Sequence, residues 1–153
     1  MQAFNRWMYR GGRPNGLAKF LNRISAWQFA KESTPAFLDT LEIAGRVSGK
    51  AVRMPIVIVE MGEIRYIVSM LGENTNWIWN LRSADGKAAL LKGGRSPVTL
   101  VEVPLADRPA ILKRYCQIAP AGRSHLPVSD QASLEEFATI AGAYPVFLVA
   151  SQP

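Results

Sequence analysis

From Leu17 the apolar positions of this chain recur at 17, 20, 21, 24 and 27, the spacing of one helical face, and Asn15 stands where an N-cap belongs. Beyond that helix the period changes. Residues 37–43 alternate apolar and polar (FLDTLEI) and stop at Gly45, as a half-buried strand does. Residues 52–60 and 64–71 are two further β-branched runs with Met61-Gly62-Glu63 between them, which predicts a hairpin. Asn74 or Thr75 can cap a short helix through Trp77, Trp79 and Arg82, closed by Asp85-Gly86. Residues 87–91 and 97–103 form a second predicted hairpin around Gly93-Gly94. Asp107-Arg108-Pro109 opens a helix that Pro120 stops, and Ser133 with Glu136 has the capping-box spacing of another that ends near Gly142. Residues 144–150 are a last apolar strand.

Five or six strands joined mostly by hairpins, with helices inserted between them, do not make the regular βαβ alternation of a doubly wound sheet. The order predicts a mainly β (α+β) domain, a small antiparallel barrel with peripheral helices. Such a barrel has a crevice at its mouth where small ligands sit.

Composition narrows the class. A chain of 153 residues, 48% hydrophobic and 20% charged, is one soluble globular domain with a sizeable core. Its longest uncharged stretch, residues 137–153, is broken by Gly142 and Pro145 and does not read as a membrane span. The start of the chain is basic but has no apolar signal-peptide core, so the expectation is a cytoplasmic protein. One cysteine and one histidine leave no internal disulfide and no Cys/His zinc site.

The net charge of +6 is concentrated at one end. Residues 1–31 contain Arg6, Arg10, Arg13, Lys19, Arg23 and Lys31 and no acidic residue, whereas the rest of the chain is balanced. We therefore divide the chain into a basic amphipathic segment, 1–31, and a barrel domain, 32–153. The segment either packs its apolar stripe on the domain or lies on an anionic membrane surface, here the inner face of the cell membrane. No nucleic-acid-binding module accompanies the charge, so nucleic acid is set aside.

The usual catalytic constellations are missing. His125 lies beside Ser124 and near Asp130, but there is no GxSxG elbow, and contiguity in sequence does not build a triad. Cys116 falls on a helical apolar pattern, where a buried, inert thiol is the default. Glu135 and Glu136 sit in a helix first turn, where capping and the helix dipole account for them. Neither a Walker A nor a GxGxxG element is present.

Two segments carry more. Residues 41–55 (LEIAGRVSGKAVRMP) place Arg46, Ser48, Gly49 and Lys50 in a glycine-containing loop between two strands, with Arg53 just beyond. Backbone amides, a hydroxyl and three cations suit a phosphate or an acidic tail. Residues 66–82 (YIVSMLGENTNWIWNLR) run from a strand end at Ser69, Met70 and Leu71 into a helix presenting Trp77 and Asn80, which can surround a flat polar ring.

In combination, the GRxSG loop, the Pro-containing strand, SMLG and W-x-x-N-L-R resemble the deazaflavin (F420)-dependent nitroreductase and quinone reductase family. The resemblance covers residues 36–103 and the closing Tyr-Pro-Val-Phe strand. It implies a split β-barrel related to the flavin-mononucleotide-binding barrels, and an oxidoreductase that passes a hydride from reduced F420 to a quinone, nitro compound or activated alkene. Arg46, Ser48, Gly49 and Lys50 match the loop for the cofactor's phosphate and glutamate tail. Ser69, Met70 and Leu71 match the stretch whose backbone meets the deazaflavin ring, and Trp77 and Asn80 the helix lying against the cofactor. Two positions where relatives often carry a cation are Val47 and Val52 here, and strand alternation turns Arg53 to the face opposite Val52. Flavin mononucleotide is therefore the alternative cofactor. The alternative function is a non-catalytic barrel that holds a flavin, tetrapyrrole or lipid. The punctuated loop 120–130 is assigned to the small-molecule hydride acceptor, with Arg123 and His125 as contacts, and the proton donor is water, Tyr144 or His125.

Overall fold

The computed structural model describes residues 36–119 and 125–152. The helix expected from Leu17, the basic segment 1–31 and Arg123 lie outside the described residues. Six strands are present among the described residues: β1 (Leu38–Ala44), β2 (Ala51–Met61), β3 (Ile64–Val68), β4 (Lys87–Leu90), β5 (Ser96–Glu102) and β6 (Val146–Ser151). They close into an antiparallel barrel in the order β1-β2-β3-β6-β5-β4. Hairpins supply the β1–β2, β2–β3 and β4–β5 contacts. Closure depends on the long-range pairing of Leu41 with Leu90 and on β6 inserting between β3 and β5. Among the described residues three α-helices lie outside the barrel wall: α1 (Asn76–Ser83), α2 (Arg108–Ile118) and α3 (Leu134–Ile140), with short 3-10 turns at Leu105–Asp107 and Ala141–Ala143.

Strand alternation produces two cores. Leu41, Ile43, Ile56, Ile58, Ile67, Leu90, Val98, Leu100 and Phe147 point into the barrel, where Trp77, Ile78 and Leu81 of α1 plug one end. Val57, Val59, Val68 and Val146, on the opposite faces of β2, β3 and β6, pack outward under Leu112, Tyr115 and Cys116 of α2 and Phe137 of α3. Strand β2 is thus buried on both faces in the continuous run Ile56–Val59. Each such side chain contributes about 1.5–3 kcal/mol when removed from water.

The element boundaries have local causes. Strand β3 stops at Val68, short of Leu71 where the apolar run ends. There the Ser69 N–H donates to Pro145 O (2.9 Å) and the Ser69 hydroxyl donates to Gly72 O (2.7 Å), so the chain turns. Thr75, in extended conformation, occupies the N-cap of α1. Helix α2 buries Ile111, Leu112, Tyr115 and Cys116 along one stripe, and Pro109 stands in its first turn. The Ser133 hydroxyl accepts from the Glu136 N–H (3.2 Å), forming the predicted cap of α3.

Candidate active site

The loop between β1 and β2 closes on itself. Gly45 N–H donates to Lys50 O (2.8 Å), Gly49 N–H to Gly45 O (2.9 Å) and Lys50 N–H to the Ser48 hydroxyl (3.1 Å). Gly49 has φ +72, a conformation that a side chain would strain. Ser48, Gly49 and Lys50 are consequently fixed in backbone but open to solvent in side chain.

Arg46 leaves this loop toward α1. Its N–H and its Nη1 both donate to Asn80 Oδ1 (3.1 and 2.8 Å), its Nη2 donates to Asn76 Oδ1 (3.1 Å), and its guanidinium lies 5.2 Å from the Trp79 ring centroid. Asn76 and Asn80, one helical turn apart, are buried and use their amide oxygens as a two-point rest. Two of five guanidinium donors are thereby used, and three remain. Among the described residues neither Arg46 nor Lys50 has a carboxylate partner.

The segment Ser69–Thr75 leads from the Arg46 cluster to a cleft of about 350 Å³ lined by Met70, Leu71, Gly72, His125, Ala143 and Tyr144. Gly72 has φ +88, and a Cβ there would come within 3.2 Å of Ala143 O, so the two walls approach as closely as glycine permits. Met70 is steadied from behind by the buried Tyr115, whose hydroxyl is 3.2 Å from Met70 Sδ. The Tyr144 hydroxyl donates to His125 O (3.3 Å). Burial pushes the Tyr144 phenol above its ordinary value and the His125 imidazole below its own. Both are therefore uncharged at neutral pH, and Tyr144 Oη keeps its proton.

The profile of the F420H(2)-dependent quinone reductase family matches residues 27–125. The chain belongs to that family. This F420H2-dependent quinone reductase family member is an oxidoreductase, as the sequence led us to expect. No curated protein matches it. Among solved structures it is similar to a domain-swapped dimer (15% identity, TM-score 0.55, covering 84% of this chain and 93% of that one). It is also similar to an F420-H2 dependent reductase (18% identity, TM-score 0.53, covering 74% and 94%). At these identities the likeness is one of fold, the split barrel.

Within this family member the residues singled out from sequence fall into three groups. Arg46, Ser48, Gly49 and Lys50 share one rigid loop, and Met70 and Leu71 line the cleft with His125 and Tyr144. Ser69 is buried and serves as the turn behind them. The third group lines neither that loop nor the cleft, and Arg53 faces away from Val52 as strand alternation predicts. Arg53 is on the outer barrel face, bonded to Glu42 (2.9 Å), its direct cross-strand neighbour, while Val52 opposes the inward Ile43. Trp77, expected against a cofactor ring, is 7% exposed and packs edge-on against Phe147 inside the barrel (centroids 5.5 Å apart). Asn80, expected beside it at the ring, is the rest for Arg46.

Sequence reasoning missed Asn76, Gly72 and Ala143. The signal for Asn76 was available, since it precedes Asn80 by four residues on a helix. Gly72 stood out only as the last residue of the SMLG motif and Ala143 gave no signal, because their contact joins distant segments.

Proposed function

We propose that this protein transfers a hydride from F420H2 to a quinone-type acceptor bound in the Met70–Tyr144 cleft, with the cofactor's anionic tail on the Arg46–Lys50 loop. The observation that carries this reading is the treatment of Arg46: four contacts orient it, and none cancels its charge. The donor set fits F420. A phosphate and a glutamate tail need cations and hydrogen-bond donors, which Arg46 and Lys50 offer. A flat ring with carbonyl and amide edges needs an apolar wall interrupted by backbone polar groups, which Met70, Leu71 and Gly72 offer. Family membership supports F420 over flavin mononucleotide as the cofactor.

When bound, F420H2 supplies the hydride. The chain's own work is positioning and proton handling. Tyr115 fixes Met70, and the Ser69 turn fixes the cleft wall that an acceptor rests on. Reduction of a quinone by hydride leaves an oxyanion that must gain a proton. Tyr144 Oη is protonated at neutral pH, and Tyr144 and His125 both line the cleft where that proton is needed.

The test is spectroscopic. Purified protein should bind F420 more tightly than flavin mononucleotide, and should re-oxidise F420H2 in the presence of menadione. Binding without turnover over a broad panel of quinones, nitro compounds and activated alkenes would make it a carrier instead.

A further inference from the structure

The walls of the cleft run antiparallel between two ties. One is the Ser69 N–H to Pro145 O bond, immediately before Met70 on one wall and immediately after Tyr144 on the other. The second lies at the opposite end of both walls and consists of alternating charges. Glu73 Oε1 accepts from Arg82 Nη2, and the same Nη2 donates to Glu102 Oε1 (3.2 Å). Glu102 Oε1 also accepts from Arg108 Nη2 (3.3 Å). Arg108 then donates through Nη1 to Ala141 O (3.1 Å) and through Nε to Val103 O (2.9 Å). Glu73 follows Gly72 on the first wall, and Ala141 begins the 3-10 turn that carries Ala143 on the second.

The two ends of this relay differ in rigidity. Arg108 is buried and bonded to two backbone carbonyls, whereas the Arg82 and Glu73 side chains are 41% and 44% exposed. The relay is therefore anchored at one wall and loose at the other. Where it closes, Gly72 and Ala143 are already in near contact.

We infer that Arg82 and Glu73 are positioning residues: their ion-pair relay through Glu102 and Arg108 sets the width of the acceptor cleft. The inference rests on the cleft being the acceptor site, as proposed above. Hydride transfer demands that the reacting atoms lie about 3–3.5 Å apart, so a small splay of one wall costs acceptor binding before it costs the fold. Exposed ion pairs are weak and screened by salt, which makes the cleft width sensitive to ionic strength.

The experiment uses the full chain with saturating F420H2 and two acceptors, menadione and a naphthoquinone bearing a long isoprenoid tail. Arg82→Ala and Glu73→Ala should each raise the menadione KM about threefold, the effect of a weak surface pair. The bulkier quinone should be affected less, and kcat and the F420 Kd should hold. Adding Glu73→Ala to Arg82→Ala should change nothing further, since the relay is already broken. Salt at 1 M, where the Debye length is about 3 Å, should raise the wild-type menadione KM and leave that of Arg82→Ala alone. Ala143→Phe, which narrows the cleft from the wall opposite the Met70–Gly72 ring contacts, is the control for the site itself. If Ala143→Phe raises KM and neither relay variant does, the relay has no such role and the acceptor site stands. If Ala143→Phe leaves acceptor KM unchanged, the acceptor binds elsewhere and both readings fall.

Discussion

Arg46 and Arg53 flank the same turn between β1 and β2, yet their charges are handled in opposite ways. Arg53 shares Glu42 with Arg95, at 2.9 and 3.0 Å, and the two guanidiniums hold the Glu42 carboxyl below the usual carboxylate range. Arg46 rests on two amide oxygens and an indole face. A carboxylate both orients and discharges a guanidinium; an amide only orients it. The first arrangement joins strands on the barrel's outer face. The second leaves a full positive charge oriented but not neutralised; under the proposed function it would meet the cofactor's anionic tail with its entropy of ordering already spent.

The comparison can be broken most directly by deletion. Arg46→Ala should weaken F420 binding by about tenfold or more, since a charge-assisted contact is worth about 1.5–3 kcal/mol and 1.4 kcal/mol is tenfold. Arg53→Ala should change it less than about twofold, because a paired, exposed cation has little left to offer. Fluorescence titration of both variants decides this; equal losses would remove the distinction.

Asn80→Asp sharpens the same point. It keeps the acceptor oxygens under Arg46 and adds the negative charge that Glu42 supplies to Arg53. Affinity for F420 should fall about fivefold, roughly 1 kcal/mol, while thermal unfolding shows no loss of stability. An unchanged Kd would mean that orientation alone matters at this loop.

The smallest effect is a pH dependence. Glu42 has a lowered folded-state pKa, so its stabilising contribution is present above the ordinary carboxylate value and lost as pH falls through the folded one. With partners 66% and 61% exposed, that contribution is at most about 1 kcal/mol. Urea unfolding should therefore separate wild type from Glu42→Gln at pH 7 and bring them together as the pH falls below the lowered folded-state pKa. The amides under Arg46 do not titrate, so over that range its environment should be indifferent to pH.

The barrel was legible because its strands alternate and its turns carry glycine, and the caps at Ser133 and the first turn at Pro109 stand in the sequence unaided. Closure was not, since Leu41 meets Leu90 and β6 enters between β3 and β5 only through long-range pairing. The cation loop was visible as a motif, but its outcome depended on partners thirty or more residues away, Asn76 and Asn80. Trp77 misled through its family match. The buried set 77, 78 and 81 on α1 is a helical stripe that faces the barrel, and it leaves Trp79, 40% exposed, on the side of Arg46. Period counting over the whole helix would have assigned the two tryptophans correctly.

Strand β2 has a consequence for how the molecule opens. Ile56 and Ile58 belong to the barrel interior, Val57 and Val59 to the layer under α2 and α3, and one run of backbone serves both. Detaching the helices would expose Val57 and Val59 on the strand whose Ile56 and Ile58 wall the barrel, so we expect a partly open state with detached helices and a standing barrel to be scarcely populated. Amide protons of Ile56–Val59 should then exchange with solvent only through global unfolding, all with the same free energy, whereas those of the Gly45–Lys50 loop exchange through local fluctuation.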